Sequence, residues 1–287
     1  MRINHNVNAM VTEGALFKAN RGLSTSLERL STGLRINRAS DDAAGLAISE
    51  NLRTQVRGAA QAKRNAMDAT AALNIAEGAA NEVSEILQRM RELAIQSSND
   101  TLTDTERGYT DQEFSALIEE IDRIADVTNY NGMALISDST ASGRFGQGSV
   151  GSAVWIDAND TAGTDSITVT IDTLSTATGG GIGVTGLSLA AQSSAASAIG
   201  TLDTAIDSVN SMRADIGAVV NRLEHAVNNL IVSETNQAAA ESQIRDADFA
   251  HETSQFVRNQ ILTQSAMAML SQANMVPQSV LGLVAGG

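Results

Sequence analysis

The sequence predicts a mainly α-helical protein: a long antiparallel helical bundle or coiled coil with a small β-hairpin insert, whose terminal arms pair as a coiled coil. Of its 287 residues, 43% are hydrophobic but only 3% are aromatic, and one is proline. Aliphatic and alanine side chains suit long helices packed side by side better than a rounded core. Apolar residues also recur at alternate steps of four and three, which is the spacing of a helical seam.

The first long helix is predicted over about 43–98. Steps of four and three from Ile48 to Ala94 meet an apolar residue at every position except Gln55. Ser40 is the predicted cap, because a serine followed by acidic residues is typical of a helix N-terminus. A helix of roughly 55 residues would be about 80 Å long, which predicts a rod.

Two further helices are predicted over about 104–128 and 195–245. The first carries Phe114, Leu117, Ile121 and Ile124, with Tyr109 upstream, and ends near the Asn131-Gly132 turn signal. The apolar positions of the second run from Ile199 to Leu230 and are interrupted by Arg213. Three such helices can share their seams in one antiparallel bundle.

The stretch between about 137 and 195 has a different character, rich in Ser, Thr, Gly and Asp. Two runs, 150–156 and 167–172, alternate with a period of two and are separated by the polar residues 157–163. This pattern predicts a β-hairpin. With Arg144 as its one basic residue, we expect the insert to face solvent.

Both ends of the chain are apolar helices without an obvious core of their own. At the C-terminal end, apolar pairs repeat every seven residues, and Arg258 is the one charge between Thr253 and Gly287. Such helices need a partner surface, so we expect the arms to pair with each other and then with other copies of the chain. The predicted assembly residues are Leu16, Leu23, Leu27, Leu30, Leu34, Phe256, Ile261, Leu262, Met269, Leu270, Val276 and Leu281.

Composition and motifs argue against several other functions. A net charge of −14, with no basic cluster denser than Lys63-Arg64, predicts no nucleic-acid binding. We also expect no transmembrane helix, secretory signal or disulfide. The G-x-G-x-x-G pattern at 181–186 lacks the strand–turn–helix context of a dinucleotide site, and Gln255 replaces the second ligand of an H-E-x-x-H zinc motif that begins at His251. We therefore predict no cofactor, no metal and no enzymatic activity.

Three segments make the chain resemble bacterial flagellin. They are LSTGLRINRASDDAAGLAI at 30–48, QRMRELAIQ at 88–96 and ANMVPQSVL at 273–281. The resemblance spans about the first 140 and last 90 residues and is that of a short flagellin with a minimal central region. It implies a terminal inner-core coiled-coil domain, 1–42 with 246–287, and a rod domain, 43–245.

The resemblance also implies a function and partners. A flagellin assembles with copies of itself into the extracellular filament used for motility, and leaves the cell unfolded through the flagellar type III channel. Its arms are disordered in the monomer and fold on assembly. An export chaperone, hook-associated proteins and a cap protein are the implied bacterial partners.

Host recognition is implied as well. Arg89, Leu93 and Glu113 match the region that Toll-like receptor 5 reads in flagellins, although Arg89 and Glu113 also suit contacts between subunits. Two alternatives to a filament subunit stay open at this point: a hook–filament junction protein, and an enzyme on a flagellin scaffold with its site in the insert.

Overall fold

The computed structural model describes residues 5–137, 145–146, 151–159, 165–177 and 181–285, with side chains of the last helix described as far as Met275. The predicted fold class is confirmed: the described residues are mostly helical, with two small antiparallel hairpins. The elements in chain order are α1 Val7–Thr32, α2 Ala43–Ser97, α3 Asp104–Val127, β1 Asn129–Tyr130, β2 Met133–Ala134, β3 Ser152–Trp155, β4 Ser166–Val169, α4 Gln192–Arg245 and α5 Phe249–Ala285.

The chain divides into two compact units. The terminal unit comprises Met1–Thr54 and Thr235–Gly287, and the central unit comprises Gln55–Glu234. None of the helices in the described part of the chain combines the length and hydropathy that crossing a bilayer requires.

The core of the central unit is formed by α2, α3 and α4 together with buried residues of the insert, among them Val169, Ile171, Leu174, Val184 and Leu189. The expectation that the insert faces solvent is therefore wrong for these residues, because their apolar side chains pack against the helices.

Every seam position of α2 from Ala59 to Ala94 is buried, because the four-three spacing places all of them on one helix face. This face meets buried residues of α3 and α4, among them Phe114, Ile121, Leu202, Val209, Ile216 and Leu223. The predicted seam began at Ile48, which is 52% exposed, so the prediction is wrong at that end. Tyr109 does not continue the α3 seam, since its side chain is exposed.

Ion pairs along the central unit give the direction of α4 against α2. Lys63 Nζ lies 2.7 Å from Glu234 Oε2, and Arg91 Nε lies 2.6 Å from Asp203 Oδ1. Early residues of α2 thus pair with late residues of α4, so the two helices are antiparallel. The hydrogen bond to Asp203 raises the pKa of Arg91 above its ordinary value.

The helix termini show two departures from the sequence interpretation. The cap of α2 is Asp42, whose Oδ1 accepts the Gly45 N–H at 2.9 Å, and Ser40 lies outside the helix. At α3, Thr103 and Glu106 form a reciprocal capping box that the sequence analysis missed. The Glu106 carboxylate accepts hydrogen bonds from the Thr103 backbone and hydroxyl, which lower its pKa.

The turn between α2 and α3 is held by a buried arginine. Arg107 donates from Nε to the Ser97 carbonyl and from Nη2 to the Asn99 carbonyl, both at 2.9 Å. A guanidinium at the C-terminal end of a helix satisfies carbonyls that have no partner within the helix.

Both hairpins are antiparallel. β1 and β2 are joined at Asn131 and Gly132, whose φ angles of 51° and 76° are those that tight hairpin turns require. β3 pairs with β4 in the predicted insert. Val154 of β3 lies opposite Ile167 of β4, and both side chains are buried. The segment 181–186 is a loop. Other parts of the predicted insert (138–144, 147–150, 160–164 and 178–180) lie outside the described residues.

The hairpin of β3 and β4 lies against α2 within the central unit. Asn65 Nδ2 donates to the Trp155 carbonyl at 3.3 Å. A Cβ placed on Gly58 would lie only 2.3 Å from the Cβ of Ala158, immediately beyond β3. Gly58 therefore makes room for the hairpin to approach the helix.

Candidate functional site

The candidate site is the arm pair, defined as α1 and α5 packed against each other in the terminal unit. The helices run antiparallel: Asn6 Nδ2, at the start of α1, donates to the Ala273 carbonyl at 2.9 Å. Toward the other end of α1, Arg29 Nη1 lies 3.6 Å from Glu252 Oε2. The predicted pairing of the terminal arms is thus confirmed.

The seam between the two arms is built from small and polar side chains. Ala19, Ser26 and Glu252 are buried there. A Cβ on Gly22 would lie 2.9 Å from Asn259 Nδ2, so glycine permits a close approach of the two helices. Several large apolar side chains of the arms, such as Leu27 and Ile261, therefore remain at least half exposed when the two arms are paired.

The arm pair leaves much of its apolar surface exposed. Of the predicted assembly residues, four are at least half exposed: Leu27, Ile261, Leu262 and Met269. Six are intermediate in exposure: Leu16, Leu23, Leu30, Leu34, Phe256 and Leu270. The side chains of Val276 and Leu281 lie outside the described residues, although both positions belong to α5.

Other exposed apolar residues of the arm pair were missed by the sequence analysis. They are Val7, Met10, Val11, Phe17, Phe249, Val257 and Met267. Met275, one of the predicted apolar pairs that repeat every seven residues, is exposed as well. The sequence did carry a signal for the missed residues, because these residues make each helix apolar on more than one face. Following a single line of apolar positions along each helix does not detect them. An exposed apolar surface that extends along two helices is typical of a protein interaction site.

A short bridge, here called the terminal bridge, joins residues 33–35 to residues 244–247 beside the arm pair. Gly33 ends α1 in the left-handed conformation, with a φ of 73°. Leu34 pairs with Asp246, and the Arg35 N–H donates to the Arg245 carbonyl at 2.6 Å. The Arg35 guanidinium also donates twice to the Ile244 carbonyl near the end of α4, from Nη2 at 2.6 Å and from Nε at 3.2 Å.

The arm pair also carries charged side chains beside its apolar surface. Its charged residues include Lys18, Arg21 and His251, which line an open groove with Arg29 and Glu252. Among the described residues, no three His, Asp or Glu side chains come together to hold a metal ion. Position 255, one turn after His251, carries a glutamine.

The residues predicted to meet a receptor lie in the central unit. Arg89 donates from Nε and Nη2 to Glu113 Oε1, at 3.0 and 2.9 Å, and from Nη1 to Glu92 Oε2 at 3.1 Å. These hydrogen bonds, the one to Glu113 first, raise the pKa of Arg89. Arg89 and Glu113 are exposed, whereas Leu93 is buried in the core behind them.

Comparison with known families identifies the chain. Residues 3–141 match the model of the bacterial flagellin N-terminal helical region, and residues 199–284 match that of the bacterial flagellin C-terminal helical region. The chain belongs to the bacterial flagellin family. Members of this family are structural filament proteins and not enzymes, and this holds for the present flagellin.

Individual relatives align along the whole flagellin chain. The flagellar filament 33 kDa core protein of Treponema phagedenis is 42% identical over 292 residues, covering 99% of this chain and 100% of the relative. The flagellin of Halalkalibacterium halodurans is 42% identical over 285 residues, again covering 99% and 100%. A solved structure of a protein assigned as flagellar hook-associated, from Vibrio parahaemolyticus, matches 72% of this chain and 100% of its own with a TM-score of 0.57, and at 18% identity it shows the fold alone.

Proposed function

We propose that this flagellin is the structural subunit of an extracellular bacterial flagellar filament and polymerises with copies of itself. The observation that carries the proposal is the apolar surface of the arm pair, where residues such as Leu27, Ile261 and Met269 are exposed while the two arms already contact each other. The relative from Treponema phagedenis, aligned over nearly the entire chain, is named a filament core protein.

The physical reason for polymerisation is burial of this surface between subunits. Fully burying a large aliphatic side chain is worth roughly 1.5–3 kcal/mol, so a half-exposed residue still offers about 1 kcal/mol. Many such residues along two helices can together offset the entropy lost on association. Identical subunits that meet through different surfaces form an open helical assembly rather than a closed ring.

The proposal also states which part of the subunit forms which layer of the filament. Residues 1–42 and 246–287 form the inner core of the filament, and residues 43–245 form the surrounding rod layer. The seam of the arm pair supports an order–disorder change on assembly, because small and polar contacts at Ala19, Gly22 and Ser26 bury little apolar area in the isolated subunit. The arms would then gain most of their stability from neighbouring subunits.

Two single substitutions at neighbouring positions of α5 test the proposal. Ile261→Ser removes an exposed apolar side chain, and Gln260→Ser makes a matched change at an exposed polar position. Extension of filament seeds, followed by light scattering and electron microscopy, should be lost or strongly slowed for Ile261→Ser and kept for Gln260→Ser. If both variants extend seeds at the rate of the unaltered chain, the exposed face of α5 does not drive assembly.

A hook–filament junction protein would share the terminal architecture, so abundance separates the two functions. We expect this chain to be the dominant protein of sheared extracellular appendages, because a filament contains very many copies and a junction contains few. If the chain is confined to the base of appendages built from another protein, the junction function is correct. Full-length similarity to a named filament core protein favours the filament.

We also propose that the monomer is recognised by Toll-like receptor 5 through Arg89 and Glu113. Their side chains are exposed and held by their mutual ion pair, which fixes the shape of the surface that α2 and α3 present. Leu93 is buried and would act by supporting that surface from within.

The receptor proposal is tested in reporter cells with purified monomer. Arg89→Ala should reduce the response, and Arg123→Ala is the control, because Arg123 is an exposed arginine with an acidic partner, Glu120. Equal responses from both variants, or no response to the unaltered chain, would count against receptor recognition.

The export chaperone, hook-associated and cap proteins are proposed partners through family membership, with the arms as their binding segments.

A further inference from the structure

We propose that four methionines of the arm pair are sites of peroxide oxidation, and that their oxidation blocks polymerisation reversibly. Met10, Met267, Met269 and Met275 are 65, 51, 60 and 57% exposed. Met90 and Met212, in the core of the central unit, are 0 and 3% exposed. These six methionines therefore form an accessible group on the arm pair and a protected pair in the core, while Met67, on α2 of the central unit, is also exposed.

The reaction needs a thioether that a peroxide can reach. The methionine sulfur attacks one oxygen of hydrogen peroxide, the O–O bond breaks, and the second oxygen leaves as water after proton transfer. Sulfur loses two electrons and becomes a sulfoxide, while the peroxide gains them. A dithiol-dependent methionine sulfoxide reductase can return the sulfoxide to the thioether: the dithiol supplies two electrons and two protons and becomes a disulfide, and the oxygen leaves as water.

The effect on assembly follows from where the four side chains lie. All four belong to α1 or α5, and their neighbours on these helices include the exposed Val11, Ile261 and Leu262. A thioether is apolar and adaptable, which suits a contact surface. A sulfoxide carries a strongly polar oxygen that must be desolvated when the surface is covered, so oxidation opposes burial.

This inference rests on the proposed function, because it concerns the surface through which the subunit is proposed to polymerise. In a finished filament the same surface is covered. The free subunit is therefore the form that we expect to be sensitive, and oxidation would limit growth without dismantling existing filaments.

The experiment compares seeded polymerisation of the full chain before and after hydrogen peroxide treatment. Peptide mass mapping should show the gain of one oxygen atom at each of the four arm methionines and none at Met90 or Met212. The lowest concentration that extends seeds should rise roughly tenfold or more, because several sulfoxides must be desolvated together. Treatment with methionine sulfoxide reductase and a dithiol should restore the original value.

A variant with leucine at all four arm positions is the matched control. Leucine keeps the apolar character, so the variant should polymerise normally and become resistant to peroxide, even though Met67, 58% exposed on α2, can still be oxidised. Loss of assembly in the peroxide-treated leucine variant would overturn the inference, as would equal seed extension by the oxidised and reduced unaltered chain. Failure of the reduced, unaltered chain to extend seeds would instead overturn the proposed function and this inference with it.

Discussion

Replacing Gly58 with alanine tests how the hairpin of β3 and β4 is held against α2. A Cβ at this position would lie 2.3 Å from the Ala158 Cβ and 3.0 Å from the Ala158 Cα. Carbon atoms in contact ordinarily sit about 3.5–4.0 Å apart. The backbone at residue 158 must therefore move by roughly 1 Å or more, because neither alanine has a side chain that can rotate away.

The size of the effect comes from two opposing contributions. Alanine is favoured over glycine inside a helix by about 1 kcal/mol, whereas overpacking costs about 1–3 kcal/mol. We expect Gly58→Ala to lower the free energy of unfolding by between about 0 and 2 kcal/mol. Gly78→Ala, also within α2 but with nothing within 4 Å of the added Cβ, should raise it by about 1 kcal/mol.

The assay uses the single tryptophan of the chain as a local reporter. Trp155 lies at the end of β3, and its carbonyl accepts a hydrogen bond from Asn65. Guanidinium unfolding followed by far-ultraviolet circular dichroism gives the stability, and Trp155 emission reports the hairpin. Gly58→Ala should change the emission of the native protein and Gly78→Ala should not. If the two variants are equally stabilised and share the emission of the unaltered chain, the hairpin does not lie against Gly58.

Three further outcomes are expected. Phe114→Ala should cost about 3–5 kcal/mol in chemical unfolding, because Phe114 is fully buried, while Tyr109→Ala should stay within about 0.5 kcal/mol since its side chain is exposed. Asp42→Ala should lower stability by about 1 kcal/mol through loss of the α2 cap, and Ser40→Ala should leave it unchanged. A lowered pKa means that the Glu106 carboxylate stabilises the fold above its ordinary value of 4.5, with this contribution lost as the pH falls through the lower folded value. An NMR titration of Glu106 should therefore give a midpoint below 4.5 in the folded chain, and a midpoint at or above that value contradicts the capping box.

Long-range periodicity predicted the helical core well. The α2 seam from Ala59 to Ala94 is buried as expected, because a repeat of four and three places side chains on one face whatever the detailed packing. Local capping chemistry was harder to assign. Ser40 and Asp42 both suit a helix start, and only the structure shows which side chain reaches a backbone N–H.

The arm pair was predictable in outline but not in its contacts. Sequence periodicity indicated that both ends are apolar helices, and the structure packs them together. It could not show that the contact runs through Ala19, Gly22 and Ser26, because glycine and serine carry no hydrophobic signal and Ala19 lies off the four-three spacing of the α1 leucines. The approach of Ala158 to Gly58 was equally hidden, since it joins positions a hundred residues apart in sequence.

The terminal bridge has a consequence for how mutations in this family can act. The Ala247 N–H donates a 2.9 Å hydrogen bond to the Gly33 carbonyl. Gly33 lies where α1 ends, and Ala247 lies just before α5 begins. The segments that lead into the two arms are therefore hydrogen-bonded to each other. We therefore expect a substitution in either segment to disturb both arms, so that defects in residues about two hundred positions apart resemble each other and a change in one segment can compensate for a change in the other.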